Sequence, residues 1–283
     1  PAISADGARV AFSGSSGQVY AVIGGAGRVV SRSAAGAPGN GPSGKAHLPG
    51  SGTLAFFESQ ASNLLAGADG NAAVADIFVA DLATGAVTLV TSGPNGEPAN
   101  GPSTQPWATD DGQTVVFSTL ATNLVPASAA QPKAVHNGTV LQATMMRSSG
   151  RTRLYLSRNL TTGELGNGDS LNVKVTPDGR WGVFETLASN LTAGDTNSTR
   201  DIYRFEISNG LLSRLERVST SRHGAQGNGH SRNPSISDDG QFITFETDAS
   251  NLIELDRNAT SDILVKWMET GEVVRLSRTV DGN

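Results

Sequence analysis

The stretch Ser4–Phe12, "SADGARVAF", decides the fold, because it returns four more times along the chain. The copies are "PGSGTLAFF" (Pro49–Phe57), "TDDGQTVVF" (Thr109–Phe117), "TPDGRWGVF" (Thr176–Phe184) and "SDDGQFITF" (Ser237–Phe245). Gly7, Gly52, Gly112, Gly179 and Gly240 are each followed five residues later by Phe12, Phe57, Phe117, Phe184 or Phe245, with no variation in that spacing. Successive glycines are 45, 60, 67 and 61 residues apart, so five units fill the 283 residues. Self-similarity at a period of tens of residues identifies a repeat architecture before any strand is assigned.

The rest of the unit reads outward from these anchors. After the phenylalanine comes "ASNL" or "ATNL" (Asn63, Asn123, Asn190, Asn251), then a polar loop, then an apolar run such as "DIFVADL", "DIYRFEI" or "DILVKWM". A turn with Gly85, Gly150, Gly210 or Gly271 leads into "VTLVTS", "TRLYLSR", "SRLERVST" or "VVRLSR". β-Branched and aromatic content bounded by turn residues marks these runs as strands, four per unit, here termed A to D from the first. No segment sustains a 3.6-residue apolar period. The expectation is an all-β fold, a five-bladed β-propeller of four-stranded antiparallel blades, forming one domain over residues 1–283. Its blades span approximately 1–43, 44–104, 105–171, 172–232 and 233–283. The phase of the two ends is consistent with blade 5 packing on blade 1 to close a ring, with an open portion of a longer propeller as the alternative.

The pattern "S-x-D-G-x-x-x-x-F", followed by "D-I-Y/F-V" and "T-G", resembles the TolB-like family of bacterial propeller repeats, relatives of the WD-type propellers. The resemblance covers essentially the whole chain. It implies the propeller fold and an extracytoplasmic, bacterial type of location, periplasmic or secreted. Such repeats serve as adaptors, binding modules and gating domains, so the likeness carries fold further than function.

A second recurring stretch could be mistaken for a nucleotide site. "GNGPSGKA" (Gly39–Ala46) satisfies G-x-G-x-x-G and nearly satisfies the P-loop pattern, both of which need a helix after the glycines. Its core "NGPS" returns as "NGPS" at Asn100, "NGDS" at Asn167 and "NGHS" at Asn228, each asparagine twelve residues before its blade's motif glycine. It is therefore a connector from strand D of one blade to strand A of the next. Asn-Gly is expected there to supply the positive φ of a tight turn.

Composition narrows the partners. Net charge is −5 with acids and bases scattered, which leaves no basic stripe for a nucleic-acid backbone. Cysteine is absent, so disulfides and thiolate metal sites are excluded and the compartment stays open. No apolar run approaches the roughly 18 residues of a membrane span.

The polar loop between strands B and C carries the most suggestive chemistry. Asp195, Asn197 and Asp201 in blade 4 recur as Asp256, Asn258 and Asp262 in blade 5, and blade 2 has Asp69, Asn71 and Asp76. Alternating side-chain oxygens closed by a later carboxylate suit a hard cation, and calcium in these loops is a secondary expectation. The alternative is that these residues cap turns, with Asp76, Asp201 and Asp262 anchoring the start of strand C. Blade 3 departs, since Leu141 stands where the aspartate is expected.

Other candidates are weaker. Glu58, Glu185 and Glu246 follow the strand-B phenylalanines, and their recurrence points to inter-blade bonding rather than to acid–base work. His47, His136, His223 and His230 share no ligand or triad spacing, and no G-x-S-x-G elbow occurs. A glycoside hydrolase would need paired carboxyl groups near the channel. The inner strands "PAIS", "KAHL", "QPWAT", "NVKVT" and "NPSIS" contain no acid, although Glu97, Glu164 and Asp169 lie in the connectors. B–C loops and D–A connectors emerge on one face, which includes the long blade 3 loop from Val125 to Val140. The sequence therefore reads as a non-catalytic binding or scaffold propeller meeting a protein or ligand on this loop-rich face. A lectin or glycoside hydrolase is the second reading.

Overall fold

Five sheets of four antiparallel strands, each formed by one repeat in chain order, make up the protein in a computed structural model. The structure describes residues 1–66, 71, 74–126, 140–147, 152–254, 256 and 260–277. Blade 1 comprises β1 (Ala2–Ile3), β2 (Arg9–Ser13), β3 (Val19–Ile23) and β4 (Ala26–Val29). Blade 2 comprises β5 (Ser43–His47), β6 (Leu54–Ser59), β7 (Asp76–Asp81) and β8 (Val87–Leu89). Blade 3 follows with β9 (Ser103–Ala108), β10 (Thr114–Thr119), β11 (Gln142–Arg147) and β12 (Arg153–Tyr155). Blade 4 has β13 (Ser170–Val175), β14 (Trp181–Thr186), β15 (Asp201–Ser208) and β16 (Leu211–Arg217). Blade 5 has β17 (Ser231–Ile236), β18 (Phe242–Thr247), β19 (Asp262–Trp267) and β20 (Val273–Arg275). This is the five-bladed all-β propeller.

The invariant Gly-to-Phe spacing is explained by the A–B turn. Gly7, Gly52, Gly112, Gly179 and Gly240 all have φ between 65° and 75°, a conformation that glycine adopts without strain. The phenylalanine five residues on lies in strand B, and Phe57, Phe117, Phe184 and Phe245 are fully buried between sheets. A single four-stranded sheet cannot cover both of its faces, so each apolar cluster draws on neighbouring blades.

Blades are joined by one repeated hook. The first residue of the inner strand, Ser43, Ser103, Ser170 or Ser231, donates its N–H to the carbonyl of Gly17, Ala75, Leu141 or Arg200, just before strand C of the preceding blade. The same serine hydroxyl bonds Ser59, Thr119, Thr186 or Thr247 at the end of its own strand B. Two residues further, the inner strand bulges, and Lys45, Gln105, Asn172 and Asn233 take left-handed φ values of 48–57°.

The connector glycine works differently from expectation. Gly41, Gly101, Gly168 and Gly229 are absent from the positive-φ residues, which in these connectors are Gly36, Gly96, Gly163 and Gly224. Close approach is the reason instead. A Cβ on Gly41, Gly168 or Gly229 would stand 2.6–2.7 Å from backbone atoms of Gln60, Leu187 or Asp248. The adjoining asparagine clasps that same chain. Asn228 N–H donates to Asn251 Oδ1, Ser250 N–H donates to Asn228 Oδ1, and Asn251 Nδ2 donates to the Gln226 carbonyl. The three other connectors repeat this clasp. Gly229→Ala is expected to lower stability by about 1–3 kcal/mol in urea unfolding, because a methyl must displace backbone. Gly27→Ala, at an ordinary φ with open space around it, is expected to be neutral.

Candidate binding channel and B–C loops

The inner strands surround a channel, and the channel holds a cavity of about 590 Å³ lined by residues of all five blades. It runs from the left-handed residues Lys45, Gln105 and Asn172 to the A–B turns at Gly50, Asp110 and Asp238. It therefore belongs to the turn end of the channel, opposite the loop-rich face favoured by loop length.

Three side chains from adjacent blades form a row in its wall. His47, Trp107 and Lys174 occupy the same position of β5, β9 and β13, two residues after the bulge. The His47 ring stacks on Trp107 with centroids 4.1 Å apart, and Lys174 Nζ lies 5.3 Å from the Trp107 ring centre. Burial holds His47 down at about 4, although the Ala108 carbonyl at 3.3 Å from Nε2 works in the other direction. The ring is neutral at physiological pH, with Nε2 donating. Burial also lowers the Lys174 pKa, offset in part by Glu185. Below the row, Gln105 Nε2 donates to Asn172 Oδ1 at 2.8 Å and Asn172 N–H donates back to Gln105 Oε1 at 3.1 Å.

Two acids line this cavity that the inner-strand sequences do not contain. In "TDDG" and "SDDG" the second aspartate, Asp111 or Asp239, closes the turn by accepting from Gln113 or Gln241 N–H. The first, Asp110 or Asp238, faces the cavity, and Asp110 accepts from Gly50 N–H at 2.8 Å. The doubled acid was the available signal, since one carboxylate suffices for the turn.

Two of the three recurring glutamates bond across blades, whereas Glu246 accepts from Arg232 and Asn233 of its own blade. Glu58 accepts from Thr104 Oγ1 and from Gln105 N–H, and Glu185 accepts from Asn233 N–H at 2.6 Å while pairing with Arg200 at 2.8 Å. Each thereby satisfies the bulge of the next blade.

In the B–C loops, Asp76, Asp201 and Asp262 are buried at the start of strand C. They accept hydrogen bonds from the Thr91, Ser219 and Ser277 hydroxyls, which in turn accept from the N–H of Ile77, Ile202 and Ile263. Gln142 makes the equivalent bond to Ser157 in blade 3, so Gln142 rather than Leu141 occupies the aspartate position. A guanidinium then bridges the paired carboxylates. Arg217 reaches Asp195 at 3.3 Å and Asp201 at 3.5 Å, and Arg275 reaches Asp256 at 3.8 Å and Asp262 at 3.4 Å. Burial still pushes the Asp201 carboxyl up, against the pull of Ser219 and Arg217. Asn197 Nδ2 donates to the Gly227 carbonyl and Asn71 Nδ2 donates to Asp76. Asp69, Asn258, His136 and residues 127–139 of the long loop lie outside the described residues. Among the described residues no three His, Asp or Glu side chains gather in a way that would hold a metal ion.

Solved structures share this architecture. A protein assigned as TolB from Agrobacterium tumefaciens matches with a TM-score of 0.57 at 17% identity, over 98% of this chain and 79% of that one. TolB from Acinetobacter baumannii matches with a TM-score of 0.55 at 18% identity, over 97% of this chain and 54% of that one. The fold is that of the TolB-like propellers. An oligogalacturonate lyase in complex with manganese has it too, with a TM-score of 0.57 at 14% identity over 97% of this chain and 63% of that one. The likeness at such identities is one of fold, and the same fold carries both TolB and a lyase. No protein-family model matches the chain, and no curated protein is recovered as its relative. Among the described residues of this TolB-like propeller, no helix is long and apolar enough to cross a membrane.

Two outcomes follow from this geometry. His47 binds a proton less readily folded than unfolded, so between pH 6.5 and about 4 the unfolded state takes up more protons and stability falls as pH falls. His47→Phe is expected to remove up to about 3 kcal/mol of that acid-limb loss, read from urea midpoints across the window. Arg217→Met leaves Asp195 and Asp201 buried without a countercharge and is expected to cost about 3–5 kcal/mol in the same assay.

Proposed function

We propose that this TolB-like propeller is a non-catalytic, extracytoplasmic binding scaffold that takes a protein segment at the turn end of its channel. The observation that carries the reading is the cavity lined by all five inner strands, with the His47, Trp107 and Lys174 row in its wall. Its size falls within the range of ordinary ligand sites. Trp107 offers apolar surface, Lys174 a cation and Asp110 an anion, while Gln105 and Asn172 offer amide groups at the far end. An extended peptide with mixed side chains suits that combination. Extracytoplasmic placement accompanies the likeness to TolB.

The Trp107 ring together with the amide groups of the same cavity also favours a glycan reading, and Asp110 with Asp238 are the carboxylates that a hydrolase would use. Peptide and glycan arrays probed with the wild-type protein, Trp107→Ala and Lys174→Ala separate these. Binding of a peptide class that weakens about tenfold or more in both variants supports the proposal. Hydrolysis or elimination of a polysaccharide that disappears in Asp110→Asn or Asp238→Asn would overturn it.

Calcium belongs to the same proposal as a secondary stabiliser of the B–C loops. In blades 4 and 5 it would have to enter beside Arg217 or Arg275, whereas in blade 2 Leu89 stands at the arginine's position. Melting in excess calcium and in chelator tests it. A midpoint that rises with calcium and falls with chelator is the expected outcome, and one midpoint in both would remove the metal from the proposal.

A further inference from the structure

The junction between blades 2 and 3 is not filled by the side chains that meet there. It holds a cavity of about 480 Å³, with Phe56, Val115 and Met146 buried at its floor and Ala86, Thr88 and Gln113 exposed at its mouth. This cavity shares no lining residue with the one in the channel. Other junctions fill the same positions differently. Met146 pairs with Arg153 across β11 and β12, as Phe205 pairs with Leu215 in blade 4 and Lys266 with Val273 in blade 5. Phe205 and Leu215 pack into the apolar cluster between blades 3 and 4, and Lys266 Nζ crosses to the Thr220 carbonyl of blade 4 at 2.8 Å. In blade 3 a methionine stands in place of phenylalanine and an arginine in place of leucine, so the apolar walls Leu54, Val79 and Val115 are left facing space.

The cavity is polarised along β8. Before that strand stands Asp81, which accepts from the N–H groups of Ala83 and Thr84. Beyond its other end, the Arg153 guanidinium donates to the carbonyls of Ser92, of Leu124 at 3.2 Å and of Gly93 at 3.3 Å. Neutral carbonyls fix the position of this group without cancelling its charge. Burial lowers the Arg153 pKa, offset in part by Glu97. In a partly dry cleft a positive charge attracts an anion more strongly than it does at the open surface, and Asp81 repels the same anion from the opposite end.

We propose that this cleft is a binding site for a small amphipathic carboxylate, such as a medium-chain fatty acid, with its head group at Arg153 and its apolar tail between Leu54, Val79 and Val115. The volume lies in the range of small-molecule sites, whose usual lining is apolar with a few placed polar groups. The tail draws its affinity from apolar walls that are otherwise left in contact with water. The charges at the two ends of β8 set the direction, so that an acid is taken in preference to an alcohol and an amine of the same length is refused. The site is independent of the peptide reading of the channel.

Calorimetric titration of the 283-residue protein with octanoate, octanol and octylamine, all below micelle-forming concentrations, tests the assignment. The expected result is one saturable octanoate site, about tenfold or more tighter than that for octanol, and no saturation with octylamine. Thr88→Trp fills the mouth from an exposed position, and Arg153→Met removes the charge. Each is expected to weaken octanoate about tenfold or more, whereas Trp107→Ala in the channel leaves it unchanged. Because Arg153→Met also removes bonds to three carbonyls and could unfold the chain, Thr88→Trp and the three ligands carry the decision. Octanol bound as tightly as octanoate, octanoate binding untouched by Thr88→Trp, or no saturable octanoate binding would each overturn the proposal. Octanoate binding lost in Trp107→Ala but kept in Thr88→Trp would move the ligand to the channel and overturn it as well.

Discussion

The inability of a four-stranded sheet to bury both faces governs this molecule. Each of blades 1 to 4 depends on the one that follows, and the dependence is expressed by a single hook, the serine N–H reaching back across the junction to a carbonyl beside strand C. That bond fixes the inner strand's height against its neighbour, so the apolar residues behind it meet in register. Once the height is set, the positions two residues past the bulge fall at one level around the channel. The His47, Trp107 and Lys174 row is a consequence of that alignment, because three unrelated side chains occupy one position of three neighbouring strands.

The same hook has a cost, and the protein meets it with different residues at different junctions. Left-handed φ at Lys45, Gln105, Asn172 and Asn233 is unfavourable for side chains with a Cβ, on the order of 1 kcal/mol or more each. Glu58 binds the Gln105 N–H and Glu185 binds the Asn233 N–H, which fixes the bulge from the blade before. Blade 3 has Ser118 where the glutamate would be, and there Gln105 supplies the acceptor for Asn172 N–H. At Glu58 and Glu185 the carboxylate thus acts as a backbone acceptor for the neighbouring blade.

What could be read from the chain and what could not divides by sequence distance. The A–B turn is a local requirement, and the strand-B phenylalanine and the connector asparagine meet the same partners in successive blades, so all three repeat at fixed spacing and reveal the propeller directly. The D-x-N-x-x-x-D loop is local too, but its counterion is not. Arg217 and Arg275 arrive from the end of strand D, brought beside the loop only by sheet pairing. The signal was a correlation between repeats: arginine stands two residues before the strand-D serine in blades 4 and 5, which share that spacing, while blade 2 has Leu89. The role of Gly41 and its counterparts was hidden for the same reason, since the backbone it must admit comes from the end of strand B. Asp110 and Asp238 escaped because a doubled acid in a turn looks redundant until the turn is built.

These distances also bear on how the chain divides labour between its two ends. On the loop-rich side, carboxylates, guanidinium groups and amide side chains are consumed by one another: Asp195 by Arg217 and Gln226, Asn197 by the Gly227 carbonyl, Asp201 by Ser219. Polarity there is the means by which long segments between strands are held, in keeping with the rule that buried polar groups find partners. On the turn side the segments are too short to need such support, and glycine, with one aspartate in four of the five blades, completes each turn. Polar side chains at that end, such as Asp238 and Lys174, are consequently left facing the channel rather than committed to a loop. Loop length and loop polarity thus mark where the fold needs reinforcement, and a ligand is better sought where short turns leave functional groups unspent.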